Sequence, residues 1–278
     1  MYSVNSKRLL ITLYISVLFT IIAIRLFSWM FPQIFLNDFD LYHFYFGIML
    51  LLIGSIILLF TPLKNENIPY KIILFSIGIG LTVDQFIFLI VKEKTEQGYW
   101  ELPSLLGTLL FTVTIFIYIL FLFIFRANKI EQYQIHKKIS DYFLIQRKNE
   151  FYAFLVAILL GVIAPRIVVF MSPGTSTMFF DFEIHHLYWG VLILIIFMLP
   201  SIVFGCLNHI KIKFATWNFI FVGIGMGLII DEFVFLLSGG KTDYDYWQNS
   251  SSISAFFLLL IVIILTSALY MQIKKQMN

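Results

Sequence analysis

The sequence predicts an all-α membrane protein: eight transmembrane helices, built as two parallel four-helix repeats related by a pseudo-twofold axis along the membrane normal. Three observations lead there. The 278 residues are 60% hydrophobic and only 13% charged, and the mean hydropathy is +0.91, outside the range of an ordinary soluble domain. The apolar residues fall into eight runs close to the roughly 20 residues that a helix needs to cross a hydrocarbon core of about 30 Å. The second half of the chain also repeats the polar landmarks of the first.

The eight runs are 9–30, 43–61, 71–91, 104–126, 151–171, 185–205, 215–238 and 252–272. Barrel strands would show alternating polarity in segments of about ten residues, a pattern absent here, so the spans are expected to be helical. The first run follows Lys7 and Arg8 and continues without a small-residue cleavage site, which marks a retained span rather than a signal peptide. The single cysteine, Cys206, excludes an intramolecular disulfide. No basic groove or aromatic-rich polar face points to nucleic acid. The expected surroundings are the lipid bilayer, with a lipid or a small ion as ligand.

An even number of spans puts both termini on one side. The alternating connections on that side hold fourteen Lys and Arg residues; the opposite set holds three, Lys92, Lys94 and Lys241, together with nine acids. The positive-inside rule therefore places both termini in the cytoplasm, and the expected location is the bacterial cytoplasmic membrane. The longest and most basic connection, 127–150, becomes a cytoplasmic linker between a first repeat at 1–126 and a second at 151–278.

The repeat itself is visible in DQFIFLIVKEKTEQGYW (84–100) and DEFVFLLSGGKTDYDYW (231–247), which match at eight of 17 positions. Ser76, Gly78 and Gly80 fall opposite Gly223, Gly225 and Gly227 at the same offset of 147. DLYHFYFG (40–47) meets EIHHLYWG (183–190) at an offset of 143, and Arg25 meets Arg166 at 141. The offset changes only between spans, where loops absorb insertions. Because each repeat has an even number of spans, the duplication is parallel, unlike the inverted repeats of many transporters. The first half is chemically poorer, with Tyr42 for His185 and Gln85 for Glu232.

The landmarks converge on one depth. Asp84 lies thirteen residues beyond Lys71, about 20 Å along its helix and so in the outer leaflet. Asp231 is its equivalent, Arg25 and Arg166 lie near the outward ends of their spans, and His43 and His186 begin spans that descend from outside. Tyr99, Trp100, Tyr246 and Trp247 form a rim just above, in the manner of an interfacial aromatic belt. Five charges within spans, Arg25, Arg166, Asp84, Asp231 and Glu232, would cost roughly 12–18 kcal/mol if none were paired. Arg25 with Asp84 and Arg166 with Asp231 are the expected ion pairs, which leaves Glu232 without an evident counter-ion. The Gly-x-Gly spacing reads as close helix contact and not as a phosphate loop, because no strand precedes it.

Asp40 with His43 and Glu183 with His186 stand three apart. On a helix that spacing shares a face, and Glu-x-x-His is how di-iron carboxylate bundles present metal ligands. His186, Glu183, Asp231, His185, His43, Asp40 and Asp84 form the candidate ligand set. Such oxygen and nitrogen donors would suit zinc, manganese or iron. A simpler expectation for Asp40 and Glu183 is capping of the helix start. Ser104 and Ser251 are matched N-cap candidates.

IHHLYWG, GIGMGLIIDEF and the external YW together resemble a group of bacterial multi-pass membrane proteins that share a His-His helix start, a DEF segment and a D-x-YW-like loop. The resemblance covers mainly 183–247, with a weaker echo at 40–100, and implies no particular activity. The residues support three functions. One is a polar Arg/His/Asp/Glu site at outer-leaflet depth that binds or moves a small ion or polar headgroup. Another is a metal-dependent intramembrane hydrolase or transferase on a lipid substrate, with Glu232 as general base on a water held by His186 and Asp231. The third is a non-catalytic assembly or regulatory subunit whose paired charges hold the bundle.

Overall fold

A computed structural model describes residues 4–30, 43–60, 68–90, 100–127, 139–171, 178–179, 182–183, 185–205, 212–237, 246 and 249–277. Eight helices are formed among these described residues: α1 Val4–Met30, α2 His43–Phe60, α3 Ile68–Ile90, α4 Leu102–Ala127, α5 Ile139–Met171, α6 His186–Gly205, α7 Ile212–Leu237 and α8 Asn249–Met277. The only other element among the described residues is a minimal antiparallel pairing of β1, Met178–Phe179, with β2, Phe182–Glu183. Six helices are long and apolar enough to cross a membrane: α1, α2, α4, α5, α7 and α8. Eight spans were expected. Over its described residues α6 offers only the shorter apolar stretch His186–Ile202, and α3 does not qualify.

The chain forms two compact units, one of residues 1–58, 62–118 and 177–184, the other of 59–61, 119–176 and 185–278. In the first unit, α3 is buried along most of its described length, with Ile72, Phe75, Ser76, Ile79, Val83 and Asp84 inaccessible. α1 runs beside it and buries one stripe, Leu13, Val17 and Thr20, while Ile11, Ile15, Phe19, Ile22 and Leu26 face outward. That division is what a helix lying between a protein core and lipid requires. In the second unit α7 has the central place, with Val222, Met226, Ile229, Ile230 and Asp231 inaccessible, and α5 buries Phe154, Ala157 and Ile158 against it.

Glycine sets how closely these helices approach. A Cβ on Gly78 would stand 2.6 Å from the backbone nitrogen of Leu51, and one on Gly47 would stand 2.7 Å from that of Thr82, so α2 and α3 cross backbone against backbone. In the second unit a Cβ on Gly190 would meet the carbonyl oxygen of Gly225 at 2.7 Å, and one on Gly225 that of Gly190 at 2.9 Å. Gly161 of α5 abuts Ile224 and Gly227 of α7 in the same way. In hydrocarbon, where apolar side chains gain nothing by leaving lipid, such small-residue contacts drive helix association by packing.

Gly78→Ala and Gly190→Ala each test this. Alanine adds about 1 kcal/mol of helix propensity, but the clash is with backbone that cannot rotate away, and overpacking costs about 1–3 kcal/mol. Both variants are expected to unfold earlier than the wild type in a detergent unfolding titration. Gly54→Ala, whose Cβ would meet Phe75 at 3.0 Å or more, is expected to lose less. Unchanged midpoints for Gly78→Ala and Gly190→Ala would show that the helices do not cross there.

Candidate functional site

In the first unit the carboxylate of Asp84, fully buried on α3, is held from two helices. Arg25 of α1 donates from Nε to Oδ1 at 2.6 Å, and His43 Nε2 of α2 lies 2.8 Å from Oδ2. Thr108 of α4 completes the cluster: its hydroxyl accepts from Arg25 Nη2 at 3.1 Å and donates to the backbone carbonyl of Asp84 at 3.1 Å. The Arg25 guanidinium also sits 5.8 Å from the centre of the Trp100 ring. The geometry follows from the helix directions. α1 and α3 run the same way, so residues near their outward ends lie level, and the start of α2 returns to that depth.

The second unit makes the same arrangement from α5, α6 and α7. Arg166 Nε donates to Asp231 Oδ1 at 2.5 Å, and His186 Nε2 lies 2.8 Å from Asp231 Oδ2. Arg166 Nη1 donates to the Ser252 hydroxyl of α8 at 2.9 Å. The aromatic contribution differs. Tyr246 is buried, lies 4.8 Å under the Arg166 guanidinium, and its phenol donates to Asp231 Oδ2. Its expected place on an interfacial rim is therefore corrected: the hydroxyl has a carboxylate partner below the surface, which outweighs lipid anchoring. Trp100 is half-buried. Tyr99 and Trp247 lie outside the described residues.

The residue after each aspartate has a shared task that the sequence reading missed. Gln85 Oε1 accepts the backbone N–H of Phe44 at 2.9 Å, and Glu232 Oε2 accepts that of Leu187 at 2.8 Å. The first-turn amides of α2 and α6 have no partner within their own helices, and a side chain from the neighbouring helix satisfies one of them. Glu232 is accordingly not without partners. Besides Leu187 it meets His185 Nδ1 through Oε1 at 2.6 Å and His186 Nδ1 through Oε2 at 3.3 Å, and as an anion it suits the positive end of α6.

A cap on α6 is expected from Glu183; the cap seen among the described residues comes from Glu232. Glu183 belongs to β2 and α6 begins at His186, so the two are not one helical turn apart and the shared-face argument fails for them. Asp40 lies outside the described residues. Ser104 and Ser251 are not N-caps either: each is the third residue of its helix, buried, with a hydroxyl that lacks a hydrogen-bond partner among the described residues. Among the described residues no group of three His, Cys, Asp or Glu side chains could hold a metal ion. Both oxygens of Asp231 and of Glu232 face partners within the protein. Farther along the second unit, Glu150 and Asn218 are buried, and the Asn218 amide donates to Ser201. Nothing in their spacing singles them out in the sequence.

Breaking a buried ion pair by removing one partner costs about 3–5 kcal/mol, more than removing both. Asp231→Ala and Arg166→Ala are each expected to lower unfolding stability by roughly that amount, and the double variant to recover part of it. Fully additive losses would show that the pair is not a unit. Tyr246 gives a pH-dependent counterpart. Burial first, then the charge and hydrogen bond of Asp231, push its phenol above the ordinary tyrosine value, with Arg166 opposing. The native state keeps this proton where the unfolded chain loses it, so the contribution is fully present below about pH 10 and declines as pH rises above it. Tyr246→Phe is expected to flatten that alkaline slope in unfolding measurements made between pH 9 and 11.

No known protein family matches this chain, and neither a curated protein nor a solved structure is similar to it.

Proposed function

We propose that the chain is a multi-pass membrane protein of the bacterial cytoplasmic membrane, with both termini inside, made of a duplicated four-helix unit whose second copy binds a small ion at outer-leaflet depth. Support for the duplication comes from contacts that recur at the sequence offsets. The pairs Arg25–Asp84 and Arg166–Asp231, His43–Asp84 and His186–Asp231, and Phe44–Gln85 and Leu187–Glu232 join equivalent atoms or equivalent positions.

The observation that carries the ion-binding reading is a charge count. In the first unit one arginine, Arg25, faces one carboxylate, Asp84. In the second, among the described residues, Arg166 is the only permanently charged cation on two buried carboxylates, Asp231 and Glu232, whose other partners there are imidazoles, a phenol and an amide. The helix N-terminus offsets about half a charge at most. A net negative charge at this depth is costly, so the second site has a place for one further positive charge. Capping alone does not explain Glu232, since neutral Gln85 performs that task in the first unit. A metal-dependent enzyme has no comparable support.

Thermal unfolding of the purified protein, followed across pH and across sodium and potassium concentration, tests the reading. The wild type is expected to depend on at least one of these ions, Glu232→Gln to lose that dependence, and Gln85→Ala to keep it. A wild type indifferent to all three, or a Glu232→Gln variant with the wild-type dependence, would sink the ion-binding site.

A further inference from the structure

Granted an ion-binding site in the second unit, the contacts of His186 identify the ion. Its ring lies between two carboxylates, with Nε2 2.8 Å from Asp231 Oδ2 and Nδ1 3.3 Å from Glu232 Oε2. A neutral imidazole carries one N–H and one lone pair. In either tautomer one nitrogen would turn its lone pair toward an ionised oxygen, a repulsive contact in a buried site. One additional proton removes the conflict, whether it rests on the second ring nitrogen or on the facing carboxyl oxygen. In the first unit the neutral Gln85 stands where Glu232 does.

We propose that the second unit is a proton-binding site, in which one proton is held between His186 and the Asp231–Glu232 pair. The charges then close: Arg166 and the proton balance two carboxylates. Among the described residues, the ionisable groups facing His186 are Asp231 and Glu232 from α7 and Tyr246 from the segment before α8, whose ring meets the imidazole edge-on at 5.9 Å. Arg166 of α5 lies on the far side of Asp231. On its own element the neighbour is His185, whose side chain is 24% exposed and whose Nδ1 is 2.6 Å from Glu232 Oε1. The His186 side chain is itself 21% exposed, so the proton can reach the exterior directly as well as through Glu232 and His185. Of the two carboxylates, Asp231 has the arginine and Glu232 has none among the described residues, which makes Glu232 the acid that the added proton balances.

The full-length protein, labelled with 15N-histidine and placed in lipid nanodiscs, gives a direct readout, because ring nitrogen shifts separate imidazolium from the two neutral tautomers. Infrared spectra of the same samples report a protonated carboxyl. At neutral pH in the wild type, the expectation is either a doubly protonated His186 or a protonated buried carboxyl, one proton per chain, with that signature lost in Glu232→Gln. A singly protonated His186 beside two ionised carboxylates overturns the proton assignment in the wild type itself, without relying on any variant. If sodium or potassium then shifts the His186 resonances in the wild type and not in Glu232→Gln, a small-ion site stands with a different occupant. If neither ion does, the ion-binding reading falls together with the proton.

Discussion

The cost of an unshared carboxylate inside a membrane governs the arrangement. Asp84 and Asp231 are inaccessible, and a lone charge at such a position costs a few kcal/mol even on the mildest insertion scale. Each is offset by an arginine from one neighbouring helix and a histidine from another. For two side chains to reach one carboxylate from different helices, three helices must lie level at that depth and close together. The glycine contacts supply the closeness: Gly47 and Gly78 let α2 approach α3, and Gly190 and Gly225 let α6 approach α7. Packing and electrostatics are therefore coupled, since a helix displaced outward by a methyl group would also draw its histidine away from the aspartate.

The same coupling explains why the residue following each aspartate matters. One position along α3 or α7 turns the side chain by about 100°, which carries it from the arginine toward the start of the adjacent helix. Gln85 and Glu232 reach equivalent amides there. The geometric requirement is an oxygen acceptor of that length, and both residues meet it. Charge is the difference, and it recruits His185 and the second face of His186 in one unit only. The two units thus share this geometry, and the difference in charge lies at Gln85 and Glu232, with His185 beside the latter.

These relations were unequally legible in the sequence. The Arg–Asp pairs could be read because burying a charge leaves so few options that residues at matched depth and repeat offset nearly name their partners. The cap on α6 could not, since it depends on a rotation about α7 that places Glu232 against a backbone amide, and amides leave no mark in a sequence. Glu183 and His186 misled for a related reason: their spacing implies a shared face only if the helix has begun, and here the chain is still in β2 at Glu183. Thr108 and Ser252, which hold the two guanidinium groups, are not at equivalent offsets and so escape a comparison of the halves. The six helices apolar enough to span a membrane were readable from composition alone, because length and hydropathy are local properties.

The way the second unit is satisfied also limits what it can bind. A site for a hard cation needs several oxygens turned toward a common vacancy, whereas the carboxylates of Asp231 and Glu232 are turned to partners on three different segments: Arg166, the start of α6 with His185, His186 and Leu187, and Tyr246. Recruiting them to a metal would break an ion pair, a helix cap and a phenol contact at once, each worth about 1 kcal/mol or more when buried. A proton requires none of this. In the proposed site it would sit between His186 and a carboxylate oxygen already 2.8 or 3.3 Å away, and leave every other partner in place. The smallest cation is the one that this packing admits without rearrangement.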